Sequence, residues 1–79
     1  MIQINVKTNT ARKAFTREIT DTPISVLNEM GLSTTGTQIN LNGTILSAAD
    51  QNAPFEKLGV QDGQSYTLNV IVKADGGAN

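Results

Sequence analysis

Gln38-Ile39-Asn40-Leu41-Asn42-Gly43-Thr44-Ile45-Leu46 is the stretch from which the architecture of this chain can be read. Ile39 and Leu41 alternate with polar neighbours before Asn42-Gly43, and Thr44-Ile45-Leu46 follows it. An Asn-Gly pair tolerates the positive φ angles of a type I′ turn, whose twist matches that of two paired strands. The stretch therefore predicts a tight antiparallel hairpin centred on residues 42 and 43.

Downstream, Ser47 to Ala53 is polar and predicts a crossover. Pro54-Phe55-Glu56-Lys57-Leu58-Gly59 has the look of one helical turn, with Phe55 and Leu58 pointing inward and Gly59 ending it. Asp62-Gly63 predicts another turn. Tyr66, Leu68, Val70 and Val72 then alternate through Ser65 to Lys73, the longest and most apolar strand. Its β-branched character places it at the centre of the sheet, with a neighbour on each side. The stretch from Ala74 to Asn79 is small and polar, and is expected to be a mobile tail after a domain of residues 1–73.

Upstream, Ile2, Ile4 and Val6 alternate with Gln3, Asn5 and Lys7, the period of a half-buried strand. Thr8 to Ala11 is a short polar turn, and Lys13 to Ile19 reads as the return strand with Phe15 and Ile19 on the core side. Arg17 falls on that same face. Either its stem lies along the core edge with its head in water, or the strand bulges there. Asp21-Thr22-Pro23 starts a helix: Thr22 supplies a capping hydroxyl and Pro23 suits the first helical position. Ile24, Leu27 and Met30 follow at helical spacing with Val26 beside them, and Gly31 suits the left-handed residue past the end. Ser33 to Thr37 is a polar loop. The order strand, strand, helix, strand, short strand, helical turn, strand is an α+β arrangement. It predicts a mixed sheet of four to five strands with one helix packed across it.

The 79 residues make one domain, with neither room for a second nor for a large enclosed pocket. Hydrophobic residues at 38% and charged residues at 16% suit a small folded chain. Six basic and seven acidic side chains leave a formal charge of −1 with no block of either sign, so no nucleic-acid footprint is visible. Cysteine and histidine are absent, which removes disulfides, thiolate nucleophiles, histidine bases and the usual zinc ligand sets. Glu18, Asp21 and Glu29 are near one another in sequence, yet carboxylates on a small open sheet are solvated and untuned. No enzyme is expected, and no cofactor. Met1 to Thr10 alternates instead of forming a signal peptide, and no stretch approaches the ~20 apolar residues of a membrane span, so a cytoplasmic setting is the default.

The order and spacing of these elements resemble the ubiquitin-like β-grasp superfamily over essentially the whole chain. Ile2 to Thr10 (IQINVKTNT) resembles ubiquitin's opening strand and turn, Asp21-Thr22 its helix start, and Ile39 to Leu46 (INLNGTIL) its central hairpin. Leu68 to Gly77 (LNVIVKADGG) resembles its last strand and double-glycine end. The second half is also similar to the bacterial sulfur carriers of thiamine and molybdopterin synthesis, with an Asn-Gly turn, an Asp-Gly turn and a Gly-Gly tail.

The resemblance implies two candidate sites. Ubiquitin's receptor-binding patch falls here on Asn9, Asn40 and Ile71, with Asn69 beside them. Only Ile71 keeps apolar character, so the resemblance implies a more polar partner. The family's C-terminal glycines, whose carboxylate is activated as an adenylate, fall on Gly76 and Gly77. Ala78 and Asn79 follow, so activation would require their removal and then an adenylating enzyme. Of ubiquitin's linkage lysines only Lys7 has an equivalent. The expectation is a small bacterial-type protein that acts as a non-catalytic interaction module. The alternative is a protein modifier or sulfur carrier activated at Gly77.

Overall fold

A computed structural model describes residues 1–33 and 35–72. The chain runs β1 (Ile2–Lys7), β2 (Arg12–Arg17), α1 (Pro23–Glu29), β3 (Thr37–Leu41), β4 (Thr44–Ile45), α2 (Ala48–Gln51), a 3₁₀ turn (Phe55–Leu58) and β5 (Ser65–Val72). The five strands form one mixed sheet in the order β2-β1-β5-β3-β4. β1 and β5 run parallel, and the other neighbouring pairs are antiparallel. The most apolar strand, β5, is at the centre as its sequence predicts.

Alternation sends one side chain in two to each face. Ile2, Ile4, Val6, Phe15, Ile39, Leu41, Leu68 and Val70 face inward and are buried with Val26 and Leu27 of α1. Leu46, Phe55 and Val60 complete the core from the crossover and the 3₁₀ turn. Phe55 is wholly enclosed, and its segment is tied to the start of α1 by backbone: Phe55 N donates to Asp21 O at 2.8 Å, Glu56 N to Ile19 O at 2.9 Å.

Helix α1 starts where the sequence predicts. Thr22 Oγ1 accepts from Ser25 N at 3.2 Å, Pro23 opens the first turn, and Gly31 follows the last with φ +75°. The buried positions are Pro23, Val26 and Leu27, while Ile24 is half-buried. The hairpin is likewise as expected. Asn42 and Gly43 have φ +49° and +89°, and Asn42 is further held by β5, its Oδ1 accepting from Thr67 N at 2.8 Å.

Three local expectations are corrected. The return strand ends at Arg17 and not Ile19, because Asp21 Oδ2 accepts from Glu18 N at 3.1 Å and turns the chain. Its pairing with β1 is regular through Ile2–Arg17, so Arg17 is not at a bulge. Its guanidinium lies over the Phe15 ring, the central carbon 5.2 Å from the ring centre, and pairs with Glu29 of α1. Ser47 to Ala53 is no plain crossover: Ser47 and Asp50 form a capping box that opens the single turn α2. Val72, expected inward with the rest of its row, is exposed at the end of β5. The expected tail beyond residue 73 lies outside the described residues.

Candidate functional site

The helix covers one face of the sheet and leaves the other open. The three central strands contribute their outward sets there: Gln3, Asn5 and Lys7 from β1, Thr67, Asn69 and the apolar Ile71 from β5, Gln38 and Asn40 from β3. Strand register arranges them in rows. One row crosses the whole sheet as Arg12, Lys7, Asn69, Asn40 and Ile45, each residue opposite the next. The row beside it places Ile71 opposite Gln38.

Asn40 and Asn69, singled out from the sequence, are therefore neighbours at the middle of the open face. Both are half-buried by the strands around them. Gln38 Nε2 stands 3.5 Å from Asn40 Oδ1, and the Asn69 carboxamide makes no hydrogen bond among the described residues. Ile71, the third member, is 41% exposed two residues further along β5.

Asn9 takes a different place. It belongs to the β1–β2 turn, which Thr8 holds by accepting at Oγ1 from Thr10 N and Ala11 N. There Asn9 lines an open cleft of about 460 Å³ with Leu32, Thr37, Val70 and Val72. Val70 is a core-facing residue, so this cleft opens at the end of the helix-covered side. The structure joins Asn40, Asn69 and Ile71 but sets Asn9 at their margin. Gly76, Gly77, Ala78 and Asn79 lie outside the described residues.

Sequence reading overlooked Ile45. It is 61% exposed and stands directly opposite Asn40. The signal was available: a two-residue turn at Asn42-Gly43 pairs Leu41 with Thr44 and Asn40 with Ile45. The open face thus carries two separated apolar side chains, Ile45 and Ile71, around an asparagine pair.

Two of the three carboxylates grouped in sequence have partners of their own. Glu29 pairs with Arg17, and Asp21 turns the backbone at Glu18. Among the described residues no cluster of three metal-binding side chains occurs, and no helix is long and apolar enough to cross a membrane.

The sheet order, its single parallel pair and the helix across one face are shared with solved structures. The chain superposes along its full length on the full length of a computationally designed protein based on the template of human erythrocytic ubiquitin, with a TM-score of 0.62 and 21% identity. The fold is the ubiquitin-like β-grasp. A ubiquitin-like protein from the hyperthermophilic archaeon Caldiarchaeum subterraneum matches 92% of the chain over 95% of its own, with a TM-score of 0.50 and 18% identity. No protein-family model and no curated protein sequence matches the chain.

Proposed function

We propose that this ubiquitin-like domain is a non-catalytic protein-interaction module that docks a partner protein on the open face of its sheet. The observation behind the reading is the Asn40–Asn69 pair, flanked by exposed Ile45 and Ile71. Apolar side chains at an interface supply area, while amides that lose water on docking must find partners or cost ~1–3 kcal/mol each. A receptor shaped for a continuous apolar patch leaves both asparagines unpaired and is rejected. A partner that offers matching donors and acceptors between two small apolar contacts is selected. The setting proposed is cytoplasmic, without cofactor or metal.

The test is affinity capture from the protein's own cells with the domain and its Asn40→Arg/Ile71→Glu variant. Ile71 is exposed and Asn40 half-buried on the open face, outside the core, and a retained amide spectrum checks that the variant is folded. A specific partner held by the parent and lost with the variant supports the module. A partner retained unchanged places the interface elsewhere.

The second reading, a modifier or sulfur carrier, rests on Gly76-Gly77 and the chemistry that such a tail has in the family. It requires cleavage after Gly77 and an adenylating enzyme. Deleting Gly76 and Gly77 leaves the module's binding intact and abolishes carrier function, which separates the two readings.

A further inference from the structure

The sheet has a charge asymmetry that the net charge of −1 conceals. None of the five strands contains an aspartate or glutamate, whereas β1 and β2 carry Lys7, Arg12, Lys13 and Arg17. Alternation divides these four between the faces. Lys13 and Arg17 flank Phe15 on the helix side, with Lys13 Nζ 5.3 Å from the ring centre and Arg17 paired with Glu29. Lys7 and Arg12 are on the open face, directly opposite each other across β1 and β2. Neither forms an ion pair among the described residues. Like charges directly opposite in a sheet are destabilising. A fold gains nothing from that pair in the isolated domain.

The two cations also have a place to hold a ligand. With Asn5, Ala14 and Thr67, and with Lys13 and Val6 at its edge, they line an open cleft of about 470 Å³ at the end of the row that Asn69 and Asn40 continue. Cations stand at one end of that row, amides in the middle and Ile45 at the other end. A second copy of this domain, docking by the same face, would bring cation against cation in one orientation and finds no carboxylate on any strand to meet them in another.

We propose that the partner of the open face presents an acidic segment to the Lys7–Arg12 cleft, which fixes its orientation across the sheet. The inference rests on the interaction-module reading and deepens it. Carboxylates seated between Lys7 Nζ and the Arg12 guanidinium relieve the repulsion between them, so binding and the local strain are linked. The asparagine pair then supplies hydrogen bonds and the isoleucines apolar contact further along.

The probe is blocked hexaglutamate, titrated into the isotope-labelled domain at low salt and followed by amide chemical shifts. Perturbation is expected at Lys7, Arg12, Asn5 and Thr67. Exposed ion pairs are individually weak, so Lys7→Gln/Arg12→Gln should lower affinity on the order of tenfold. Raising salt to about 0.5 M should do the same, because exposed charges are screened. The double variant should also unfold at a higher urea concentration than the parent, which shows that loss of binding is not loss of fold. Hexalysine should bind nowhere on this face. Four results overturn the inference: no hexaglutamate binding, as when the cations serve only to keep the β2 edge from pairing with other sheets; binding unaffected by the double variant; perturbation confined to the helix side; or tighter binding of an oligothymidylate at the same residues, which would assign the cleft to nucleic acid. A negative result here, with partner capture still dependent on Asn40 and Ile71, removes the acidic segment and leaves the module standing.

Discussion

Asn40 on β3 stands directly opposite Asn69 on β5, at the centre of the sheet face that the helix leaves open. The pair separates Ile45 from Ile71 and keeps two exposed isoleucines from merging into one apolar patch. Large continuous apolar patches on a small domain promote association. On the interaction-module proposal the asparagines set which partners are admitted and limit self-association as well.

Asn40→Ile should remove that separation. Stability should change by no more than about 0.5 kcal/mol, as for most surface positions. Sedimentation velocity at high protein concentration should show the variant associating more strongly than the parent. Identical profiles would mean that the asparagine pair does not govern the face.

Asn42 has two tasks, a positive φ and a hydrogen bond from Thr67 N. Asn42→Gly keeps the first and loses the second, at about 1 kcal/mol. Asn42→Ala loses both and should cost about 2 kcal/mol. Urea unfolding should rank the parent above the glycine variant and the glycine variant above the alanine variant. An alanine variant as stable as the glycine one would show that the turn is not held as described.

Phe55 is wholly enclosed in a core of thirteen side chains among the described residues. Truncation to alanine costs ~3–5 kcal/mol, comparable to the whole stability of many small domains. Phe55→Ala should show collapsed amide dispersion at 25 °C, whereas Phe55→Leu should remain folded and melt earlier. A well-dispersed spectrum for the alanine variant would contradict the placement of this turn against the sheet.

The Met1 ammonium pairs with Asp62 on the turn before β5. The hydrogen bond to Asp62 raises the ammonium pKa above its ordinary value of 8.0, and the same bond lowers that of Asp62 below its ordinary 3.8. The raised group stabilises the fold fully below its unfolded pKa and ceases to do so as pH rises through its folded value. The depressed carboxylate stabilises above its unfolded pKa and ceases to do so as pH falls through its folded value. The pair's contribution is therefore present between about pH 4 and 8 and fades on either side. Both groups are exposed, so the effect is small and salt-sensitive. Melting curves of the parent and Asp62→Asn should differ near pH 6 and converge at pH 2 and at pH 11. A constant difference across that range would exclude the ion pair as its source.

Much of the fold is legible because its signals are local. Asn42-Gly43, Thr22-Pro23 and Gly59 each demand one backbone geometry and obtain it. The central position of β5 matches its β-branched run, although only Leu68 and Val70 of that strand are buried. The failures are also local, but they depend on contacts formed at a distance. The end of β2 is set by a single hydrogen bond from Glu18 N to Asp21, and α2 by a capping box only four residues long. Arg17 had two plausible placements until Glu29 of α1 was seen to receive it. The geometry of the candidate site was half legible. Position along the chain locates Asn40, Asn69 and Ile71, but cross-strand register is needed to add Ile45, to pair Lys7 with Arg12, and to set Asn9 at the margin.

We propose that this β-grasp works by non-covalent binding. The most direct measurement is the intact mass of the chain recovered from its own cells, with any conjugated fraction retained. The account predicts an unconjugated species that keeps the residues beyond Gly77. A species ending at Gly77, or a thiocarboxylate or protein adduct through it, would contradict the account and make the chain a carrier or modifier.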